Sequence, residues 1–270
     1  MKRNVWNGVE YLTFPALEET GVVKHLFSTR IGGVSEGIFA TMNLSYTRGD
    51  RKEAVDENFR RIAGAMGGDI SDFVLSDQTH TTNVRRVTAE DRGKGILRKK
   101  DYKDVDGLIT DEPGIILATF YADCVPLFLV DKKHRAIGLA HSGWRGTAGH
   151  MGKCTIHAMQ EAYGTEPADV TVGIGPSICR KCYEVGEDVA DAFAAGFPEE
   201  IRDKILFANG RGKYLLDLWK ANYYVFLMAG VPEEQISITD ICTCCHSDYL
   251  FSHRASHGKR GNLGAFLSLL

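Results

Sequence analysis

The chain has 270 residues, of which 44% are hydrophobic and 25% charged, with a net charge of −3. These values predict a globular protein with a full hydrophobic core and argue against nucleic acid or an anionic membrane surface as a partner. No apolar run approaches the roughly 20 residues of a membrane span, and no apolar segment follows the basic start as in a signal peptide. Because seven cysteines make no even disulfide framework, we expect a reducing, cytoplasmic setting.

The first part of the chain alternates short apolar runs with glycine-rich polar turns. Residues 22–28 predict a strand, and Arg30 follows in a turn with paired glycines. A guanidinium beside exposed backbone N–H groups suits an anion, although a surface arginine in a glycine turn is the simpler alternative. Arg48 lies in a similar turn. Asp50 then predicts the N-cap of a helix over residues 52–66, which paired glycines end.

Two strand-length apolar runs at the centre of the chain flank a polar turn at residues 132–135. Cys124 opens the first run and His141 closes the second, so an antiparallel hairpin would bring them together. Pro126 predicts that its strand lies at an edge or a bulge. His80 follows another short apolar run and also falls at a strand end.

Strand ends that carry His, Cys and His predict a metal site with three ligands and one open position. A thiolate beside an imidazole equally suits a Cys–His nucleophile pair. Each residue taken alone is also compatible with a buried thiol or a satisfied loop histidine. The glycines, proline and arginine around Cys124 and His141 favour a shaped pocket.

The second half of the chain contains more helix. Helices are predicted over residues 148–163, 186–197 and 217–229, strands over 168–174, 236–241 and 250–253, and a core-packing apolar tail over 265–270. Strands and helices are mixed without a regular βαβ period. This pattern predicts an α+β fold in one domain, residues 1–270.

A second set of cysteines competes with the first as a metal site. A Cys-x-x-Cys pair and a downstream Cys/His cluster are typical of structural zinc, although the gap between them is much longer than in zinc ribbons. Reduced, partly buried thiols are the alternative. The residues are Cys179, Cys182, Cys242, Cys244, Cys245 and His246.

Several motifs occur together and in order along the chain. They include Thr29-Arg30-x-Gly32-Gly33-Val34-Ser35, Gln78-x-His80, Asp106-Gly107-Leu108-Ile109-Thr110, Ala122-Asp123-Cys124-Val125-Pro126, His141-Ser142-Gly143-Trp144-Arg145-Gly146 and Cys182-Tyr183-Glu184-Val185. From about Val22 to the end, the chain resembles the YfiH/YlmD family, whose members carry the labels "laccase domain" and "polyphenol oxidase". Multicopper oxidases need many histidines in His-x-His pairs. Oxidase activity is not expected, because this chain has nine histidines and no such pair.

The resemblance implies a three-layer-like α+β fold, similar to that of toxin deamidases that use a Cys–His pair. It implies zinc bound by His80, Cys124 and His141, which would also be the catalytic residues. The implied activities are phosphorolysis of adenosine, inosine and methylthioadenosine, and deamination of adenosine, at one open metal site.

Phosphorolysis requires residues that hold the phosphate. The arginine candidates are Arg145, four residues after His141, and then Arg30 and Arg48. The alternative activity is that of a metal-free Cys–His hydrolase or amidase. Because some family members are linked to the editing of peptidoglycan precursors, such a hydrolase would act on that class of substrate.

Overall fold

The strands form two six-stranded sheets packed face to face, in a computed structural model that describes all 270 residues. The first sheet has the order β1-β2-β3-β15-β7-β4, with β1 (Lys2–Trp6), β2 (Val9–Thr13), β3 (Val23–Ser28), β4 (Phe73–Leu75), β7 (Ile116–Tyr121) and β15 (Leu263–Leu269). The second has the order β14-β10-β8-β9-β6-β5, with β5 (Val84–Arg86), β6 (Gly107–Thr110), β8 (Val125–Asp131), β9 (Ala136–Ser142), β10 (Val170–Ile174) and β14 (Ile236–Ile238).

Helices cover the outer face of each sheet, and a small third sheet has the order β11-β13-β12. Its strands are β11 (Glu184–Val185), β12 (Leu206–Ala208) and β13 (Tyr214–Leu216). The helices are α1 (Pro15–Glu18), α2 (Lys52–Met66), α3 (Trp144–Ala148), α4 (Met151–Tyr163), α5 (Glu187–Gly196), α6 (Glu199–Ile205) and α7 (Leu218–Met228). None of them is long and apolar enough to cross a membrane.

The predicted α+β fold is confirmed, but it has four layers rather than three. Between the sheets, side chains such as Phe27 and Leu267 pack in one core with Phe128 and Leu139 of the facing sheet. A second core lies between the first sheet and α2, and a third lies between the second sheet and α3, α4, α5 and α7. The central strands of each sheet are therefore buried on both faces, which explains why β8, β9 and β15 are largely apolar along their whole length.

The prediction that Pro126 places its strand at an edge or a bulge is wrong. β8, which contains Pro126, lies between β9 and β10 in the middle of its sheet. The Pro126 carbonyl accepts the Gly175 N–H at 2.8 Å. The N–H and C=O of one strand residue point to the same side, so the N–H that proline lacks would also face Gly175. Gly175 lies beyond Ile174, the last residue of β10 that pairs with β8, so no ladder hydrogen bond is lost. The prediction that the apolar tail packs in the core is confirmed, and the tail is in addition a full central strand, β15, paired with both β3 and β7.

Three further predictions need correction. The helix expected over residues 148–163 is two helices, α3 and α4, which meet at His150 in a left-handed conformation (φ +60°). Asp50 does not cap α2, whose N-cap is Arg51; the carboxylate instead accepts Ser35 Oγ at 2.6 Å and Asn43 Nδ2 at 2.9 Å. Residues 250–253 form no strand.

Candidate metal centre

His80, Cys124 and His141 meet at one end of the two sheets. The hairpin of β8 and β9 is confirmed: Pro126 pairs with His141, so Cys124, directly before β8, lies beside the imidazole. His80 comes from the turn after β4, in the facing sheet. His80 (φ +66°) and Asp123 (φ +88°) both have left-handed backbones, which non-glycine residues adopt rarely and often at functional sites.

The three side chains form a compact set of metal donors. One ligand atom from each lies within 4.8 Å of the others, and Cys124 Sγ is 3.9 Å from His80 Nε2. Tetrahedral coordination, with bonds of about 2.0–2.3 Å, places ligand atoms roughly 3.3–3.6 Å apart. Small side-chain movements would therefore close the set around one ion. His141 is 3% exposed whereas His80 is exposed, so the trio is open to solvent on one side.

Asp106 orients His141 and fixes the turn that carries His80. Its carboxylate, fully buried, lies 2.8 Å from His141 Nδ1. It also accepts the backbone N–H groups of Thr79 at 3.1 Å, His80 at 3.2 Å and Thr81 at 2.8 Å, and the Thr81 hydroxyl at 3.0 Å. A carboxylate hydrogen-bonded to Nδ1 of a histidine orients the ring and leaves Nε2 free to bind metal. In the sequence, Asp106 stands out only as the first residue of the Asp106-Gly107-Leu108-Ile109-Thr110 motif.

Neighbouring charges shift the pKa values of Cys124, His141 and Asp106. Burial raises the pKa of the Cys124 thiol, but the neighbouring His141 and His80 outweigh it and bring this pKa down to about 6. Burial lowers the pKa of His141, yet the Cys124 and Asp106 charges raise it to about 9. Burial also acts against the Asp106 carboxylate, whose hydrogen bond to His141 holds its pKa at about 2. Without metal, the site is therefore a thiolate–imidazolium pair at neutral pH.

Gly143 allows the ligands to approach so closely. A Cβ at this position would lie 2.7 Å from His80 Cδ2 and 3.1 Å from Cys124 Sγ. The residue also forms the N-cap of α3. A side chain here would push His80 away from the thiol, which explains why the turn after His141 needs glycine.

A cleft of about 470 Å³ leads to the trio. The apolar side chains of Leu44, Tyr46 and Phe120 line part of it. Two guanidinium groups, of Arg48 and Arg260, line it as well. Neither arginine forms an ion pair with a carboxylate. The cleft therefore combines an apolar wall with unneutralised positive charge.

Only one of the three predicted arginines lies in this cleft. Arg48 lines it, as expected. The Arg30 guanidinium donates to the Ala40 and Ser247 carbonyls, both at 2.7 Å, and stacks on Phe251. Arg145 is exposed on α3 and stacks on Trp144 at 4.2 Å. The structure thus joins Arg48 to the trio but does not bring Arg30 or Arg145 into the cleft.

Arg260 is the site residue that the sequence reasoning missed. It is 8% exposed, and its Nε has no hydrogen-bond partner. Burial, followed by the nearby charge of Arg48, lowers its pKa to about 10. A buried guanidinium with a free donor is suited to an anionic ligand. The available signal was an arginine directly before Gly261 and the final apolar run.

The comparisons with known proteins agree with this architecture. A family model described as "Multi-copper polyphenol oxidoreductase laccase" matches residues 24–270. The purine nucleoside phosphorylase YlmD of Geobacillus stearothermophilus is 37% identical over 244 residues, 89% of this chain and 88% of that protein. A purine nucleoside phosphorylase of Bacteroides thetaiotaomicron is 37% identical, with 93% of each chain covered. The crystal structure of Bacillus licheniformis hypothetical protein YfiH is 33% identical, with a TM-score of 0.91 and coverage of 98% of this chain and 97% of that one.

The fold and the site thus define a mixed α+β protein with an open His–Cys–His centre. The chain belongs to the YfiH/YlmD family. The family model's description names multicopper chemistry, but the structure gathers only two groups of metal-ligating residues, and only this one contains histidine.

Proposed function

We propose that this protein is a zinc-dependent purine nucleoside phosphorylase that acts on adenosine, inosine and methylthioadenosine and also deaminates adenosine. One observation carries the proposal: the open trio of His80, Cys124 and His141 shares a cleft with the guanidinium groups of Arg48 and Arg260, neither of which forms an ion pair with a carboxylate. The names of the relatives, purine nucleoside phosphorylases at 37% identity, support the same activity.

Phosphorolysis explains why a cleft of this kind needs two arginines. The bond between the sugar C1′ and the purine nitrogen breaks, its electron pair leaves with the base, and a phosphate oxygen forms the new bond to C1′. The sugar passes through a state with oxocarbenium character. A phosphate dianion must be held against it, and Arg48 and Arg260 can bind its oxygens by charge-assisted hydrogen bonds.

The remaining groups position the substrate and the centre. Leu44, Tyr46 and Phe120 supply an apolar wall for the purine ring. Asp106 holds His141 through Nδ1, so that Nε2 of His141 is left for the metal. Zinc bound by the trio supplies a Lewis acid at the end of the cleft. For deamination, water replaces phosphate as the nucleophile: its oxygen forms a bond to the amino-bearing carbon of the purine, and the amino group leaves as ammonia.

The products formed with and without phosphate test this function. We expect adenosine to give adenine and ribose 1-phosphate only when phosphate is present, and inosine without it. Arg48→Gln and Arg260→Gln should each raise KM for phosphate about 10- to 100-fold, since a hydrogen bond to a charged group contributes about 1.5–3 kcal/mol. Initial rates measured by chromatography against phosphate concentration give both results.

Arg60→Gln is the matched control, because Arg60 is exposed on α2 and pairs only with Glu57; its KM should equal that of the wild type. Arg145→Gln tests one of the two remaining predicted arginines, Arg30 and Arg145, whose roles in phosphate binding stay predictions. The proposal fails if no purine nucleoside reacts under either condition while a muramyl-amino-acid precursor is hydrolysed.

A metal-free Cys–His hydrolase or amidase is the second candidate, and one observation favours it. Cys124, His141 and Asp106 have the nucleophile, base and orienting acid of a catalytic triad, and the thiol pKa is about 6. A relation to toxin deamidases, or a role in editing peptidoglycan precursors, would follow from this reading.

Chelation and alkylation distinguish the two candidates. For a zinc enzyme we expect nearly complete loss of turnover after dialysis against a chelator and recovery on addition of zinc, because the trio alone offers no Lewis acid. A thiol hydrolase would keep its activity in the chelator and lose it only on alkylation of Cys124. Activity on adenosine that survives removal of all zinc would contradict the first proposal.

A further inference from the structure

Two Cys-x-x-Cys turns that are far apart in the sequence lie side by side in the structure. Cys179 and Cys182 lie on the short turn after β10, and Cys242 and Cys245 on the turn after β14. The four sulfurs all lie within 4.8 Å of one another. Cys245 Sγ is 3.4 Å from Cys182 Sγ and 4.0 Å from Cys179 Sγ. The other candidates in this region, Cys244 and His246, are outside the group.

The backbone of both turns prepares one of these sulfurs to carry negative charge. Cys242 is 4% exposed, and its Sγ accepts the N–H of Cys179 at 3.2 Å and the N–H of Cys245 at 3.4 Å. Each turn thus gives one donor to the same sulfur. Hydrogen bonds of this kind stabilise a thiolate ligand and fix its orientation.

The separations between the sulfurs indicate what they would bind. Tetrahedral coordination with metal–sulfur bonds of about 2.3 Å places sulfurs about 3.8 Å apart. The distances of 3.4 and 4.0 Å lie on either side of this value. Clusters with several irons hold cysteines from opposite sides further apart than four sulfurs within 4.8 Å allow. The geometry therefore favours a single ion.

We propose that Cys179, Cys182, Cys242 and Cys245 bind a structural zinc ion, separate from the His80–Cys124–His141 centre. Four thiolates and Zn²⁺ leave a charge of −2, and basic side chains lie near it. Lys181 is within one chelating turn, and the Arg254 guanidinium donates to the Cys182 carbonyl at 3.1 Å. A four-thiolate zinc site has no open position, so its role is to hold structure rather than to catalyse.

The two cysteine turns that this site joins both lie next to Asp123, the residue before Cys124. Thr243 N–H donates to the Ser177 carbonyl at 3.1 Å, and its hydroxyl donates to Asp123 Oδ1 at 2.7 Å. On the side of the other turn, the N–H of Ile178, directly before Cys179, donates to the Asp123 carbonyl at 3.0 Å. The zinc would therefore hold both turns around Asp123, whose left-handed backbone positions Cys124. Loss of this zinc should therefore make the position of the Cys124 thiol less well defined.

Metal analysis of the full-length protein, purified under reducing conditions, tests the site. We expect two zinc ions per chain in the wild type and one in Cys124→Ala. The double variant Cys182→Ser/Cys245→Ser should also keep one. Cys154→Ser is the matched control, since Cys154 lies outside both groups, and it should keep two.

Cobalt distinguishes the sites without any variant of the four cysteines. Cys124→Ala protein refilled with Co²⁺ should show the intense visible absorption of tetrahedral thiolate-bound cobalt, which needs no activity and no folding of a cysteine variant. The proposal is overturned if Cys124→Ala retains no zinc, or binds iron there instead. A Cys182–Cys245 disulfide found by mass spectrometry in the reduced protein would overturn it as well.

Discussion

Replacing Asp106 by alanine is expected to lower the free energy of unfolding by about 3–5 kcal/mol, the cost of removing one partner from a buried charged pair. The affinity for the metal should fall about 10- to 100-fold, as it does when the partner of a metal-binding histidine is lost. The effect is large because the carboxylate is fully buried and accepts hydrogen bonds from four residues. Denaturant unfolding and competition with a metal indicator measure the two quantities.

Asparagine cannot rescue this position. One Asp106 oxygen faces His80 N–H and His141 Nδ1, and the other faces the N–H groups of Thr79 and Thr81. Because both oxygens face donors, an amide placed in either orientation points its NH₂ group at a donor. Asp106→Asn should therefore be less stable than the wild type as well.

The matched control is Asp104→Asn, two residues before Asp106. The Asp104 side chain accepts only the Thr79 hydroxyl, at 2.7 Å, and lies at an exposed position. Its left-handed backbone (φ +55°) suits asparagine. The variant should behave as the wild type does in both assays. Equal behaviour of Asp106→Ala and Asp104→Asn would show that Asp106 positions neither His141 nor the His80 turn.

His80, Cys124 and His141 could be predicted to lie together because the ends of strands can be located from the sequence. A hairpin has only one simple way to place the start of its first strand beside the end of its second, and this fixed Cys124 beside His141. Asp106 was harder to assign. Its partners Thr79 to Thr81 are about 25 residues earlier, and the contact exists only because the turn after β4 crosses from one sheet to the other.

The arginines show where local pattern stops being informative. Arg30, Arg48 and Arg145 all lie near glycines, and nothing in the sequence says which guanidinium faces the cleft. Arg30 is instead held by the Ala40 and Ser247 carbonyls, and Ser247 is 217 residues away. Arg260 reaches the cleft because β15, which follows it, is a central strand. Such choices depend on the packing of distant loops.

The first hairpin had a signal that the sequence reasoning overlooked. Asn7 and Gly8 separate β1 from β2, and both have positive φ, +45° and +82°. Asn-Gly between two alternating segments is the strongest short-range hairpin pattern, because this two-residue turn requires positive φ at both positions. The pair Trp6–Val9 closes the turn. Here the information was local and available.

Acid should destabilise the protein through His25. The side chain is 3% exposed in β3, and its Nε2 accepts the Phe14 N–H at 2.8 Å. Phe14 and Phe128 lie against the ring. Burial lowers the pKa of His25 to about 4, although the charge of Glu18 acts in the opposite direction. A neutral imidazole is therefore part of the folded state.

The sign follows from proton binding. Between pH 6.5 and about 4 the unfolded chain holds a proton on His25 that the folded chain does not, so stability falls as the pH falls through this window. A difference of about 2.5 pKa units corresponds to roughly 3 kcal/mol lost by pH 4. The stabilisation by neutral His25 is fully present above pH 6.5. Its loss is nearly complete at pH 4 and does not increase further below that pH.

Denaturant unfolding of the wild type and His25→Gln at several pH values measures this contribution. A Gln carbonyl can accept the Phe14 N–H but does not titrate, so the variant should be somewhat less stable at neutral pH and lose about 3 kcal/mol less on acidification. Loss of metal in acid affects both proteins equally and cancels in the difference. His157→Gln, at an exposed position on α4, should keep the pH dependence of the wild type. If His25→Gln loses stability with pH as steeply as the wild type does, the buried imidazole is not what makes the fold sensitive to acid.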